Sequence, residues 1–270
     1  MLPTAELRQM GYNIVPITGW IIALILVLIQ YKKCNIGYCA QLLQKALPNK
    51  KTETPLKMFG AGISLLMLWV SVIVFNGWFG NIVKTGANYF GCLIFYPIVL
   101  FVICCIFWID PIKRLDFITP AMPFSLIFIR LGCLCMGCCN GIEWKYGIYN
   151  YFTERPEVPT PLLESILALG VFIFLLIWRK KAKPGTMFPM YVFLYSFGRF
   201  FIEFTSAVRI KYFLFFNKYQ ILCLIGVLIG AGLLTVVPKY SEKISTYFDE
   251  NPYGFIKALS KKTKKTVKTK

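Results

Sequence analysis

The chain of 270 residues contains no histidine, and it carries only 12 aspartates and glutamates against 30 lysines and arginines. Without imidazole the commonest general base is missing, and so is every metal-ligand set that needs one. Charged residues make up 16% of the chain, against about 25% in ordinary soluble domains. No phosphate-cradling glycine loop, dinucleotide fingerprint, HExxH or GxSxG pattern occurs. Those absences remove the usual nucleotide-dependent, metalloprotease and serine-hydrolase chemistries. The first twelve residues carry Glu6 and lack a basic start ahead of the apolar run, so no cleavable signal peptide is expected.

Apolar surface is what the chain has in excess: 57% of its residues are hydrophobic and 17% aromatic. A helix needs about 20 such residues to cross about 30 Å of hydrocarbon. Runs of that order occupy 13–30, 58–79, 89–108, 116–137, 161–178, 187–204 and 219–238. The pattern predicts an all-α polytopic membrane protein of about seven transmembrane helices. Its membrane domain covers 1–238. A basic tail over 239–270, ending KKTKKTVKTK, holds too little apolar surface to fold. Trp78, Trp108, Trp144 and Trp178 fall near span ends, where an interfacial belt places them.

Orientation follows from the lysines and arginines. Loops 31–57, 109–115 and 179–186, with the tail, hold 21 of them, and the alternate segments hold seven. That asymmetry puts the N-terminus outside and the C-terminus in the cytoplasm, and it favours an odd number of crossings. The excess positive charge therefore reads as adhesion to anionic lipid rather than to nucleic acid.

The remaining two cations lie inside predicted spans. Arg130 stands in SLIFIRLGCLC with no charged residue in the thirteen before it, and Arg199 stands in SFGRFFIEF. A guanidinium at mid-bilayer costs about 2.5–3.5 kcal/mol on insertion scales, which makes such a residue a functional candidate. Glu203 follows Arg199 by four positions and so shares its helix face. One reading has Arg199 and Glu203 neutralise each other while Arg130 snorkels to an interface. The sharper reading has both arginines line a polar chamber and grip an anion, since guanidinium stays charged and matches phosphate oxygens in pairs. Glu164, in VPTPLLES, opens the fifth span on the side where the fourth ends. By itself it reads as a favourable charge at a helix N-terminus.

Ten cysteines are present, four of them (Cys133, Cys135, Cys138 and Cys139) in RLGCLCMGCCNG. The C-x-C-x-x-C-C spacing departs from the separated C-x2–4-C pairs of zinc knuckles. The cluster is therefore read as small apolar packing residues beside Gly132, Gly137 and Gly141. No metal is expected, and a disulfide at Cys138 or Cys139 stays open. Asp110 and Asp116 bracket Pro111 as helix caps, and Pro184-Gly185 reads as a turn.

Several short blocks occur in a particular order. Phe90-Gly91-Cys92-Leu93-Ile94 comes first, then Arg130-Leu131-Gly132-Cys133, then Gly137-Cys138-Cys139-Asn140-Gly141. Pro159-Thr160-Pro161-Leu162-Leu163-Glu164 and Pro184-Gly185-Thr186-Met187-Phe188 follow, and the last block runs from Tyr191 through Arg199 and Glu203 to Phe204. This succession, over about residues 85–205, resembles the prolipoprotein diacylglyceryl transferase family, in particular diverged members with a G-C-C-x-G signature. The seven-span, N-outside, C-inside arrangement agrees with that family's.

The resemblance implies transfer of the diacylglyceryl group of phosphatidylglycerol to the lipobox cysteine of prolipoprotein signal peptides. Glycerol phosphate leaves, and no cofactor is needed. It also implies residue roles. Arg130 matches the signature arginine that holds the lipid head group, Arg199 the second essential arginine and Glu203 its acidic neighbour. Glu164 matches the acid that closes the H-P-[ST]-Q-L-Y-E block. The family's usual histidine stands here as Phe90, with Tyr89 adjacent, and the histidine of the H-P-[ST] block is Val158. The signature asparagine falls at Cys133 and the following acid at Cys138. A tyrosine of the first span is replaced by Thr18 or shifted to Trp20. The expected catalytic set is thus Arg199, Glu203 and Tyr89, with Arg130, Arg199 and Glu164 binding phosphatidylglycerol. A non-catalytic lipid-binding or lipoprotein-assembly paralogue, and a transporter, are the alternatives these residues leave open.

Overall fold

The structure is a computed structural model that describes residues 2, 4–34, 53–83, 89–151, 153–207, 211–213 and 216–250. Residues 35–52, Lys84, Arg209 and the terminal KKTKKTVKTK, on which part of the charge reading rests, lie outside that set.

The helices begin and end where local chemistry allows. Helix α1 (Ala5–Ile29) starts after Thr4, whose hydroxyl accepts the Leu7 N–H at 3.3 Å. Helices α2 (Glu53–Val83) and α3 (Phe90–Phe107) follow, and α3 stops at Trp108 in a left-handed conformation. Asp110 then caps α4 (Pro111–Ile118) by accepting the N–H groups of Ile112 and Lys113, with Pro111 in the first turn, where its missing N–H costs nothing. Helix α5 (Ala121–Met136) ends at Gly137, φ 79°, and the N–H groups of Gly137 and Cys138 turn back onto the Cys133 carbonyl. Helices α6 (Thr160–Trp178), α7 (Met187–Ile202) and α8 (Lys218–Glu250) complete the bundle.

Two small antiparallel pairs join the helices at one end. Strand β1 (Glu143–Asn150) pairs with β2 (Arg155–Glu157), and β3 (Lys211–Phe213) pairs with β4 (Phe216–Asn217). These pairs correct the all-α expectation: the chain is mostly helical, with short hairpins between α5 and α6 and between α7 and α8. The EWKYGIYN stretch is rich in aromatic residues and too short to be a span, which suits a solvated ribbon.

Close helix contact depends on residues without side chains. A Cβ on Gly19 of α1 would lie 2.2 Å from the Phe128 side chain of α5, and one on Gly132 would lie 2.9 Å from Pro16. Tyr96, Ile118, Met122, Leu126, Leu175, Tyr191 and Tyr195 fill the interior. The outward faces are apolar as well, with Ile17, Ile21 and Ile25 on α1, Ile98, Phe101 and Val102 on α3, and Leu224 and Leu228 on α8. Such a surface suits lipid, where every backbone group must be satisfied within the protein, as it is in helices. Among the described residues, six stretches are long and apolar enough to cross a membrane. The chain is a multi-pass membrane protein.

Three predicted boundaries change. The fourth span starts earlier than residue 116 and consists of α4 and α5 in succession, Pro111–Met136. The sixth is only 16 residues long and is not among the six long stretches. The tail reading fails for 239–250, because α8 continues to Glu250. Its last turns are docked: the Trp108 indole N–H donates to the Phe248 carbonyl at 3.0 Å, and its ring packs against Tyr247 and Phe248.

Candidate functional site

At the end that carries the hairpins, three helices point ionised side chains at one another. Tyr191, Tyr195, Arg199 and Glu203 recur every four residues along α7 and its terminal turn, so they form one stripe. Arg130 comes from α5 and Glu164 from the second turn of α6. Glu164 is completely buried and holds both arginines. Its Oε2 lies 2.8 Å from Arg130 Nε, and its Oε1 lies 2.8 Å from Arg199 Nη1. Arg199 Nη2 in turn meets Glu203 Oε2 at 2.7 Å. The Asn217 side-chain amide donates to Glu203 Oε1 at 3.1 Å, and Asn217 and Gln220 exchange two further hydrogen bonds.

The chain thus buries two cations and two anions in a single net-neutral network. Desolvation costs several kcal/mol per ion, and the pairs recover it only with good geometry and further hydrogen bonds. A hydrophobic replacement would hold helices together as well, so the network marks a site that needs charge. Arg130 spends only Nε on a carboxylate. Its Nη1 and Nη2 meet no acidic group among the described residues, and its side chain keeps 17% exposure. Those are the donors an anion would find.

All four charged residues expected from the sequence are brought together. The snorkelling alternative for Arg130 is corrected, since Glu164 draws its guanidinium inward. Glu164 does more than favour a helix N-terminus: it is the shared counterion that fixes both forks. Tyr89 sits apart from the ion pairs. Its hydroxyl donates to the Met122 carbonyl at 3.4 Å and accepts from the Tyr191 hydroxyl at 3.0 Å, while its ring meets Tyr195 edge-on.

Sequence reading named Tyr191 only as the start of a block and missed Tyr195, although their four-residue spacing ahead of Arg199 was visible. It also missed Asn217 and Gln220, which no motif marks.

The cysteine-rich loop lies at the same end. Gly141 pairs with Ser206, the Ile142 N–H donates to the Thr205 carbonyl at 2.9 Å, and a Cβ on Gly141 would lie 2.2 Å from that carbonyl oxygen. The loop is thereby tied to the turn that carries Glu203. Cys139 adopts φ 62°, a left-handed conformation that costs a residue with a Cβ about 1–2 kcal/mol. This turn brings the sulfurs of Cys133, Cys138 and Cys139 within 4.8 Å of one another. The Cys138 thiol donates to the Cys133 carbonyl at 3.6 Å. The reading of these three as mere packing residues does not fit that convergence. Cys135, by contrast, faces Gly11 of α1 and does serve packing.

Beside the thiols opens a cavity of about 630 Å³, lined by Arg8, Gln9, Cys138, Cys139, Asn150 and Arg155 among others. Glu157 secures its wall. Oε1 accepts from Thr153 and Arg155, and Oε2 accepts from the Asn150 side chain. Burial raises the Glu157 carboxyl, but hydrogen bonds from Asn150, Thr153, Arg155 and Asn140 outweigh it and hold the group below its usual range.

Comparison with known proteins gives the family. The sequence profile of the family described as prolipoprotein diacylglyceryl transferase matches residues 7–236. Three curated relatives bear the name phosphatidylglycerol–prolipoprotein diacylglyceryl transferase. One from Chlorobaculum tepidum is 33% identical over 159 residues, which is 55% of this chain and 55% of the relative. One from Clostridium tetani is 30% identical over 135 residues, 47% of this chain and 54% of the relative. One from Clostridioides difficile is 43% identical over 99 residues, 35% of this chain and 39% of the relative. The chain spans about half, or less, of the length of these relatives.

Proposed function

This chain belongs to the prolipoprotein diacylglyceryl transferase family, and from that premise we propose that it moves the diacylglyceryl group of phosphatidylglycerol onto the lipobox cysteine of prolipoproteins at the bacterial cytoplasmic membrane. The observation that carries this reading is the convergence of Arg130 and Arg199 on buried Glu164, with the Arg130 Nη atoms left for an anion. The phospholipid reaches the site between helices and lays its phosphate against Arg130 and Arg199. Glu164 holds both guanidiniums in place before the lipid arrives, so little reorganisation is needed when charge develops. The substrate thiol, with an ordinary pKa near 8.5, attacks as thiolate at the glyceryl carbon. A carbon–sulfur bond forms, the carbon–oxygen bond to phosphate breaks, and glycerol phosphate leaves with the electron pair. Glu203 orients Arg199 and receives the thiol's proton in a chain that has no histidine. Tyr89 acts on positioning, because its hydroxyl is engaged with Met122 and Tyr191.

We place the N-terminus outside, the C-terminus inside and seven helices across the bilayer. The 21 to 7 distribution of cations supports this. Helix α7 spans about 24 Å at 1.5 Å per residue, and the turn at Glu203–Thr205 extends it towards the far interface. The membrane domain covers 1–238, and α8 carries the chain beyond it to Glu250 on the cytoplasmic side, where its basic residues face anionic lipid.

The test is conversion of labelled phosphatidylglycerol and a lipobox peptide to thioether by the purified protein in liposomes. Product that vanishes with a serine peptide supports the reading. Lipid binding with no product under any condition overturns it in favour of a non-catalytic paralogue.

A further inference from the structure

The geometry points to a second element of the site: Cys133, Cys138 and Cys139 form a three-thiolate seat for one thiophilic divalent ion, zinc by chemistry, whose fourth position receives the substrate's thiol. The inference rests on the transferase reading for the identity of that thiol, and on the cysteines alone for the ion.

Three sulfurs already lie within 4.8 Å of one another. Around a tetrahedral zinc with bonds of about 2.3 Å, sulfurs stand about 3.8 Å apart, so closure asks for roughly one ångström of side-chain movement. The seat is built from a rigid part and a turned part. Cys133 is buried in the last turn of α5, while Cys138 is half-buried and Cys139 exposed in the loop that follows. The Gly137 cap and the left-handed Cys139 reverse the chain so that the second and third sulfurs meet the first. Packing alone has no need for a strained, exposed cysteine at that position.

Ligand type and number select the metal. Three soft thiolates and no imidazole suit zinc rather than magnesium or calcium, which take oxygen. Three protein ligands also leave one coordination position open, the arrangement that catalytic zinc sites share. The cavity lined by Cys138 and Cys139 provides access to that position. The assembled ion and three thiolates carry one negative charge, and Arg130 stands one helical turn from Cys133 on the same face.

The seat eases the proton transfer to Glu203 on which the reaction depends. A thiol that coordinates zinc loses its proton outright. Here that proton goes to Glu203, which the Gly141–Ser206 pairing ties to the cysteine loop. The zinc-bound sulfur then forms the bond to the glyceryl carbon as the phosphate oxygen departs with its electron pair, held by the two arginines. No oxidant or reductant takes part, and the thioether product, a weaker ligand than thiolate, leaves the ion.

The full-length protein, purified in detergent without chelators, is analysed for zinc by mass spectrometry and then loaded with cobalt(II). About one zinc per chain is expected, with the sulfur-to-cobalt charge transfer and strong visible bands of a tetrahedral thiolate site. Adding a lipobox peptide should strengthen the charge-transfer band, whereas its serine counterpart should not. Cys139→Ser, at an exposed position, and Cys133→Ser should each lose the stoichiometric metal. Retention of metal by Cys139→Ser would overturn the inference, as would a disulfide among the three cysteines in the purified protein, or cobalt spectra indifferent to the peptide thiol. Because Cys133→Ser can disturb folding, Cys139→Ser decides between loss of ligand and loss of structure. Metal that responds to the peptide in a protein that never transfers lipid would leave the seat standing and remove the transferase reading. Full transfer after complete metal removal would do the reverse.

Discussion

The two ends of the helix bundle bury charge in different ways. At the end of α4 one ion pair joins Asp110 to Lys113 at 3.3 Å, and Arg114, Asp116 and Arg179 are met by backbone and neutral side chains. Arg114 Nη1 donates to the Gly60 carbonyl at 2.8 Å, to Ser64 Oγ at 3.2 Å and to Cys34 Sγ at 2.8 Å. Asp116 accepts the N–H groups of Gly185 and Met187 at the start of α7, and Arg179 donates to Gln30 Oε1. At the hairpin end, by contrast, Arg130, Glu164, Arg199 and Glu203 are satisfied largely by one another. A charge answered by carbonyls and helix N–H groups fastens elements together. A charge answered by another charge, with guanidinium donors left over, is held ready for something else.

The comparison is most exposed at Arg199. Replacement by Ala removes two of the three ion pairs and one of the two groups proposed to stabilise the leaving phosphate. Removing one such donor typically costs about 100- to 1,000-fold in rate. Initial rates of thioether formation per folded molecule should fall by that much. Arg199→Lys should not restore them, because an ammonium cannot engage two carboxylates as a fork does. Undiminished turnover in either variant would place Arg199 with the fastening charges of the other end.

Next comes Glu164→Gln, which leaves two buried guanidiniums without their shared counterion. Breaking a buried pair in this way costs about 3–5 kcal/mol, read as a lowered thermal midpoint in detergent. Arg114→Met is the matched experiment at the other end. It removes charge-assisted hydrogen bonds worth about 1.5–3 kcal/mol, while the rate per folded molecule should stay unchanged. If Arg114→Met lowered that rate as Arg199→Ala is expected to, the distinction between the ends would fail.

How much of this was legible beforehand follows from the same contrast. The bundle was readable because seven apolar runs leave few alternatives, and Arg130 and Arg199 stood out because hydrocarbon makes every charge conspicuous. The Arg199–Glu203 pair was fixed by helical periodicity. The partnership of Glu164 with both arginines was not, since it depends on how α6 packs between α5 and α7, a contact that spacing along one helix does not contain. The three-cysteine convergence was hidden for a related reason. Knuckle spacing counts residues between pairs, whereas here a glycine cap and one left-handed residue fold 133, 138 and 139 together. The end of α8 was misjudged because Lys239–Glu250 is polar in composition, yet Trp108 of the preceding structure supplies the contact that composition lacks.

The smallest expected effect concerns the wall of the cavity, where a single carboxylate is satisfied by neutral groups and one arginine. Glu157 in the folded chain sits below its ordinary value of 4.5, because hydrogen bonds from Asn150, Thr153, Arg155 and Asn140 outweigh burial. A depressed carboxyl stabilises the fold above the unfolded value and loses that contribution as pH falls through the folded value. The β1–β2 hairpin should therefore be fully protected near neutrality and open progressively below about pH 4.5. Amide hydrogen exchange of Asn150 and Glu157 across that range measures it. Glu157→Gln should flatten the pH dependence while leaving the hairpin weaker throughout, since the amide keeps one acceptor and loses the charge that Arg155 meets at 3.1 Å. An unchanged acid response in the variant would move the titrating group elsewhere and leave the hairpin's stability to its backbone pairing alone.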